Sequence, residues 1–135
     1  MTDDFQFGLN PKPNDINQVL REKNIDPRNL VWRKTLNVND LKPLTGYVGE
    51  ADDARAWRIS EQYDRLMPIL VVAKRIGDHQ VINGMHRLRA AQMRGQDTIE
   101  ALVVPPVALD LIYHPYGAEA MHKWAHDAAN TSFNP

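Results

Sequence analysis

The sequence predicts an α+β domain in which a small mixed sheet is flanked by helices. Three observations lead to this prediction: two short apolar runs form a hairpin pattern at 69–82, a helical pattern follows at once, and another apolar run comes after it. Strands and helices in this order pack in layers around one core. A chain of 135 residues is long enough for one such core and too short for two.

Composition limits the classes of function. There is no cysteine, which excludes disulfide scaffolds, thiolate zinc sites and cysteine nucleophiles. The formal net charge of −1 argues against a protein that coats nucleic acid, because coating neutralises many phosphates at once. No apolar run reaches the roughly 18 residues of a membrane span, and the acidic N-terminus is unlike a secretory signal. We expect a cytoplasmic protein with no membrane partner.

The segment 1–29 is predicted to be an irregular arm followed by a short helix. Glycine and proline among polar residues make its first half irregular. Apolar residues with helical spacing begin at Ile16, and Asn14 or Asp15 is suited to cap this helix. The helix should end near Asn24, just before an Asp-Pro pair.

The segment 30–106 carries the alternating elements of the domain. β-branched and aromatic residues favour strands, and apolar residues at intervals of three and four favour helices. Gly95 is suited to end the second helix in the left-handed conformation. The predicted elements are, in order, a strand at 30–38, a turn at 39–44, a helix at 53–66, a hairpin at 69–82, a helix at 85–94 and a strand at 98–104.

A C-terminal extension, 107–135, is predicted to hold one helix at about 118–129. Its inner side should carry Met121, Ala125 and Ala128.

The same helix offers a candidate metal site. Glu119, His122 and His126 would share one of its faces, and imidazole with carboxylate can hold a metal ion. The spacing is not the zinc-protease pattern, and alanine-rich helices often carry surface histidines by chance. We therefore predict no metal site.

The stretch around the Asn83-Gly84 pair is the main candidate site. An apolar run stops there and a helical pattern restarts at once, which predicts a strand that turns into the N-terminus of a helix. Such a start offers backbone N–H groups and the positive end of the dipole, and His86, Arg87 and Arg89 add side-chain donors. Gly84 allows positive φ and close approach of a ligand. The pattern favours an anion such as phosphate; the alternative is an ordinary basic helix start.

Three acids precede the helix predicted at 53–66. Glu50, Asp52 and Asp53 could simply complement the dipole of that helix. The functional alternative is that one of them is a general base or a magnesium ligand near the Asn83-Gly84 turn.

Over residues 32–104 the chain resembles the ParB/sulfiredoxin superfamily domain. The resemblance is carried by Pro68 through Val72, the hairpin, the turn and helix at 83–91, Gly95, and the strand at 99–104. Members share a Pro-Ile strand and a Gly-x-(Arg or His)-Arg turn that binds nucleotide phosphates.

The resemblance implies that the phosphates of a nucleoside triphosphate, CTP or ATP, bind at Gly84, His86 and Arg87, and it does not carry hydrolysis over to this chain. If the nucleotide is hydrolysed, the candidate catalytic residues are His86 and the acids Glu50, Asp52 and Asp53, which could hold Mg²⁺. The candidate phosphate- or nucleotide-binding residues are Asn83, Gly84, Met85, His86, Arg87 and Arg89.

Departures from the family pattern narrow the function. Met85 stands where sulfiredoxins have their catalytic cysteine, so that activity is excluded. Partition proteins have Glu-Arg-Arg where this chain has Met85-His86-Arg87, and their later Glu-Asn-x-x-Arg motif is not found in 107–135. We expect a minimal, stand-alone member without the helix-turn-helix and dimerisation parts of a partition protein.

Three hypotheses remain open from the sequence. The leading one is a ParB-like domain that binds a nucleotide or nucleic-acid phosphate at the turn and could hydrolyse the nucleotide. The second is a non-catalytic interaction protein, whose partner would be DNA or another protein. The third is a divalent-metal-dependent DNA nuclease that uses a basic strip of Lys74, Arg75, Arg87, Arg89 and Arg94.

Overall fold

The computed structural model describes residues 13–43, 54–58, 68–75 and 78–132. The acids Glu50, Asp52 and Asp53, which the sequence offers as candidate bases or magnesium ligands, lie outside these ranges. So does most of the helix expected at 53–66, of which residues 54–58 are helical.

Five strands and three longer helices make up the described fold, and together they confirm the α+β class. Short 3-10 turns at Pro27–Asn29 and Val38–Asp40 connect the early elements. The helices are α1 (Pro13–Glu22), α2 (Met85–Met93) and α3 (Ala118–Ser132). The strands are β1 (Trp32–Asn37), β2 (Leu41–Pro43), β3 (Ile69–Arg75), β4 (Asp78–Asn83) and β5 (Thr98–Val104).

The strands form one mixed sheet in the order β1-β5-β3-β4-β2. β3 and β4 are the predicted antiparallel hairpin, whereas β3 and β5 are parallel neighbours. The parallel pair requires a crossover, and α2 supplies it on the way from β4 to β5. The N-terminus of α2 therefore begins directly at the end of β4.

One face of the sheet is covered by α1 and α3. Apolar residues of the central strands, such as Leu70 and Leu102, share a buried cluster with Leu20 of α1 and Trp124 of α3. The indole N–H of Trp124 donates a hydrogen bond of 2.7 Å to Oδ1 of Asn17, which fixes the two helices to each other. Helical segments from both ends of the chain thus build the same core as the sheet.

The other face of the sheet is covered by α2. Ile69, Val71 and Val103 alternate with the residues that face α1 and α3, and they pack against Leu88 and Ala91 of α2. This alternation is the period of two that a strand buried on both faces must have. The turn that precedes α2 therefore lies between the two buried clusters, one on each face of the sheet.

Several predicted boundaries are confirmed and others need correction. The predicted strands at 30–38 and 98–104 and the helix at 85–94 are present, and Gly95 has the expected positive φ of 70°. α1 begins at Pro13, so Asn14 and Asp15 lie inside its first turn rather than capping it. Proline is suited to this position because its missing N–H is not needed there.

Two further elements were not predicted. Residues 41–43 form an edge strand parallel to β4, with Leu41 opposite His79. Residues 107–116 form helical turns, including a π-helical turn at Leu109–Tyr113 that buries Ile112. Three-residue strands and π-helical turns have too few residues to show a period in sequence.

Candidate functional site

The end of β4 carries an irregularity that aims Asn83 at α3. Leu70 pairs with Asn83 and the next residue of β3, Val71, pairs with Val81, so Ile82 is an extra residue in β4. A bulge of this kind places two successive side chains on the same side of a strand. Ile82 accordingly lies in the core beneath α3, and Asn83 contacts His122 of that helix.

Gly84 connects the bulge to α2 in a conformation that favours glycine. Its φ is 99°, and a Cβ at this position would lie 2.7 Å from Cγ2 of Ile69. The sequence suggested that Gly84 lets a ligand approach closely; in the structure, the position that a Cβ of this residue would take is occupied by Ile69 of β3. Glycine is therefore required here by the fold, whatever the ligand.

The first turn of α2 has the properties of an anion site. The first hydrogen bond inside the helix runs from the N–H of Leu88 to the carbonyl of Gly84, at 2.9 Å. Earlier N–H groups, such as those of Met85 and Arg87, have no acceptor within the helix. No acidic residue lies in this turn, so α2 has no carboxylate of its own at the positive end of its dipole.

Arg87 adds a fixed positive charge to the same turn. Its side chain is half-buried, and its Nη1 atom is fully buried with no hydrogen-bond partner in the described residues. Two other buried atoms there lack partners, the neutral amide oxygens Oε1 of Gln80 and Gln96. Burial lowers the pKa of Arg87 from its usual value, and no carboxylate of the described residues opposes that effect. A guanidinium that lacks a counter-charge within the described part of the chain suits an anion supplied from outside.

His122 lies behind the turn and is buried, with 4% of its surface exposed. Its Nε2 is 2.7 Å from the carbonyl oxygen of Pro68 and its Nδ1 is 3.1 Å from Nδ2 of Asn83. A carbonyl can only accept and an amide nitrogen can only donate, so Nε2 carries the hydrogen and Nδ1 accepts. Burial lowers the pKa of His122 and the nearby charges of Arg87 and His126 lower it further, and together these outweigh the raising effect of the hydrogen bond to Pro68. The imidazole is therefore neutral at pH 7.

The other predicted site residues lie on or near the same turn. His86 is half-buried, and Met85 packs against the core beneath α2. Arg89 donates a hydrogen bond of 3.3 Å to Oε1 of Gln92, one turn along the same helix. The structure thus brings Met85, His86 and Arg87 together at the start of α2, and Arg89 lies at its middle.

The sequence pointed to His122 only as part of a weak metal pattern. In the described part of the chain, no three acidic or histidine side chains are grouped so that they could hold a metal ion. Both ring nitrogens of His122 are engaged in hydrogen bonds instead. The sequence did hold one signal that His122 is buried: it lies three residues before Ala125, on the buried side of α3.

Of the basic strip suggested for a nuclease, the structure describes three side chains, those of Arg87, Arg89 and Arg94. Arg94 is exposed at the C-terminal end of α2, whereas Arg87 is half-buried at the N-terminal end. The side chains of Lys74 and Arg75 lie outside the described part.

Among the described helices, none is long and apolar enough to cross a membrane.

Comparison with known proteins gives a family match and two relatives. Residues 12–113 match the model of the ParB N-terminal domain. The transcriptional regulator NovG of Streptomyces niveus is 32% identical over 69 residues, which are 51% of this chain and 21% of NovG. This chain thus spans about a fifth of that relative's length.

A solved structure is also similar. It is the C-terminally truncated chromosome-partitioning protein ParB from Caulobacter crescentus, complexed with CTP-gamma-S. The match has 24% identity and a TM-score of 0.44, and covers 62% of this chain and 52% of the other. Because the family model spans the described sheet, the turn at Gly84 and α2, the chain belongs to the ParB N-terminal domain family.

Proposed function

We propose that this ParB-like domain binds the phosphate groups of a nucleoside triphosphate at the turn formed by Asn83, Gly84 and the first turn of α2. The observation that carries the proposal is the half-buried guanidinium of Arg87, whose Nη1 has no partner among the described residues. It lies in a helix turn that has no acidic residue.

The energetics of burial support an external anion. A buried polar group without a partner costs about 1–3 kcal/mol, and more if it is charged. Folding alone would favour a carboxylate beside Arg87, as at Arg28, where Asp26 lies 3.0 Å away. A phosphate would supply the missing acceptor and would also interact with the N–H groups and dipole of the first turn.

The roles of the other residues follow from their positions. The N–H groups of Met85 and Arg87 would donate to phosphate oxygens, and Arg87 would add its side chain. His86, in the same turn, is the candidate proton donor or acceptor. CTP and ATP are the nucleotides to test first, since both carry the required triphosphate.

The proposal is restricted to binding. Hydrolysis would need groups that activate water or hold Mg²⁺, and the acids suggested for this, Glu50, Asp52 and Asp53, lie outside the described residues. The described residues contain no cluster of ligands for a metal ion. Phosphate binding by Arg87 and backbone N–H groups requires neither a group that activates water nor a bound Mg²⁺.

Calorimetric titration would test the proposal directly. CTP, ATP, GTP and a short DNA duplex are titrated into the wild type, Arg87→Ala and Arg87→Lys. A charge-assisted hydrogen bond is worth about 1.5–3 kcal/mol, so Arg87→Ala should weaken nucleotide binding roughly 10- to 100-fold. Arg87→Lys should bind with intermediate affinity, because lysine keeps the charge but not the planar fork.

Arg94→Ala is the matched control. It removes the same charge from the other end of α2, where Arg94 is exposed, and should leave nucleotide affinity nearly unchanged. Absence of nucleotide binding in the wild type, or equal affinities in wild type and Arg87→Ala, would reject the proposal. Binding of DNA without binding of any nucleotide would favour the nucleic-acid alternative.

A further inference from the structure

His122 belongs to the C-terminal helix α3, yet its polar contacts all lead to the strands that support the candidate phosphate site. Nε2 donates to the carbonyl of Pro68, which directly precedes β3, and Nδ1 accepts from the side chain of Asn83 at the end of β4. The imidazole therefore bridges the hairpin at the point where Ile69 and Gly84 are in contact.

The amide of Asn83 is held from both sides. Its Nδ2 faces His122, while its Oδ1 accepts the N–H of Gly84 at 3.0 Å. The side-chain amide carries its donor on Nδ2 and its acceptor on Oδ1, so the group that contacts one of these atoms also decides where the other atom points. As long as Nδ1 of His122 is an acceptor, Oδ1 of Asn83 points at Gly84 and engages its N–H.

We propose that His122 is a positioning residue of the phosphate site: it orients Asn83 and thereby the Gly84 turn, and it couples anion binding to the uptake of a proton at its Nδ1. The coupling part of this inference rests on the proposed function, because it requires that the site binds an anion. The orienting role concerns the ligand-free protein and stands or falls separately.

The charges around His122 give the coupling its direction. Arg87 from α2 and His126 from its own helix both oppose a proton on the ring, whereas the hydrogen bond to the carbonyl of Pro68 favours it and Asn83 contributes a neutral amide. An anion bound by Arg87 offsets the main opposing charge. Binding therefore raises the pKa of His122, and by reciprocity a lower pH strengthens binding.

Protonation also changes the hydrogen bonds in the same direction. A proton from solvent on Nδ1 turns this acceptor into a donor, so Asn83 must turn its Oδ1 toward the ring. That rotation releases the N–H of Gly84, which becomes available to an anion at the turn. Each unit by which the ligand raises the pKa of His122 corresponds to a tenfold gain in affinity at acid pH.

Two substitutions separate the two contacts of the ring. His122→Asn places Oδ1 at the same number of bonds from Cα as Nδ1, so it keeps an acceptor for Asn83. His122→Gln places an amide nitrogen where Nε2 was, so it keeps the donor to Pro68 and loses the contact with Asn83. Neither side chain titrates, and His114→Gln, at a histidine whose side chain is 62% exposed, is the control.

CTP affinity is measured for these proteins between pH 5.5 and 7.5. We expect wild type and His114→Gln to gain affinity toward acid pH, with at least a threefold smaller gain in both His122 variants. At pH 7.5 His122→Asn should stay within about threefold of wild type, whereas His122→Gln should lose about tenfold. Titration of the γ-phosphate is common to all four proteins, so it does not affect the difference between them.

Nuclear magnetic resonance of the ligand-free wild type tests the orienting role without any variant. The ring of His122 should be the neutral Nε2–H form at pH 7.5, and the Gly84 amide should shift with the protonation of His122, at a pH below 6.5. A Gly84 amide that ignores this titration overturns the orienting role, as do equal losses in the two His122 variants.

The remaining outcomes separate the two proposals. Equal pH dependence in wild type and His122→Gln overturns the coupling, even if CTP binds. A wild type that binds no CTP at any pH overturns the proposed function and the coupling together. The Gly84 titration in the ligand-free protein then decides the orienting role by itself.

Discussion

The two ends of α2 both use a glycine with positive φ, but they differ in what surrounds that glycine. At the N-terminal end, Gly84 is in contact with Ile69 and has its N–H held by Asn83. At the C-terminal end, no atom of the described residues beyond its chain neighbours lies within 4 Å of the position a Cβ of Gly95 would take. The first glycine is constrained by backbone and packing, the second by backbone alone.

The polar groups at these two ends differ as well. The C-terminal end is closed by backbone hydrogen bonds, from the N–H of Gly95 to Gln92 and from the N–H of Gln96 to Ala91, both at 3.0 Å. This arrangement is the ordinary way to end a helix. At the N-terminal end, the half-buried guanidinium of Arg87 has no counter-charge among the described residues. This difference is the basis for proposing a ligand at the N-terminal end of α2 and none at the C-terminal end.

The largest predicted effect is that of Gly84→Ala on stability. A left-handed conformation costs a non-glycine residue about 1–3 kcal/mol, and a Cβ at 2.7 Å from Ile69 adds an overpacking cost of about 1–3 kcal/mol. The free energy of unfolding in urea should fall by about 4 kcal/mol. A loss below 1 kcal/mol would show that β3 moves aside easily, and the contrast between the two ends of α2 would disappear.

The sequence predicted the turn better than it predicted the support behind it. Asn83-Gly84 and the basic residues after it are local signals, because strand, glycine and helix follow one another along the chain. The bulge at Ile82, the contact of Ile69 with Gly84 and the bonds of His122 depend on residues that meet only in the folded chain. No spacing rule relates Asn83 to a histidine 39 positions later.

The charge balance of the site was also beyond the reach of the sequence. Arg87 and Arg94 look alike in the chain, as two basic residues of one helix. Burial separates them, because Arg87 is half-buried at the start of α2 and Arg94 is exposed at its end. Which arginine lacks a counter-charge depends on the distances to all acids, and these are tertiary facts.

The second prediction concerns pH and the N-terminal end of α2. The pKa of His122 is lowered in the folded protein, so between that value and the unfolded value of about 6.5 the unfolded chain binds more protons. The contribution of His122 to stability is complete above pH 6.5 and is lost as the pH falls through this window. Within this window the free energy of unfolding changes by at most about 1.4 kcal/mol per pH unit because of His122.

Urea unfolding of wild type and His122→Gln at several pH values checks this. Both proteins share the carboxylates that titrate at lower pH, so the difference between their curves isolates the histidine. The wild type should lose stability faster than the variant between pH 6.5 and 5. Parallel curves would mean that His122 keeps its ordinary pKa and that its contacts with Asn83 and Pro68 are loose in solution.

The third prediction is the counterpart of the first, at the C-terminal end of α2. Gly95→Ala meets no atom, so only the cost of the left-handed backbone remains, about 1–2 kcal/mol. Gly95→Asn should cost less, because asparagine tolerates this conformation better than alanine does. If Gly95→Ala and Gly84→Ala were equally damaging, backbone conformation would explain both ends and the contact with Ile69 would be irrelevant.

The smallest predicted effect has the opposite sign. Arg87→Met keeps much of the apolar stem of the side chain and removes a half-buried cation that has no described counter-charge. Replacing an uncompensated charge by an apolar group of similar volume is often neutral or stabilising, and partial exposure of the guanidinium to solvent screens most of its cost. The free energy of unfolding should therefore stay equal or rise by up to about 1 kcal/mol, while CTP binding weakens roughly 10- to 100-fold.

Arg94→Met is the control that makes this result specific. At the exposed end of α2 it should change neither stability nor CTP binding by more than about 0.5 kcal/mol. If the Arg87→Met variant is more stable and binds CTP more weakly than the wild type, Arg87 serves a ligand at a cost to the stability of the fold. If Arg87→Met instead lost 2 kcal/mol or more, the guanidinium would have a partner within the protein, and its unpaired state, on which the phosphate proposal depends, would be wrong.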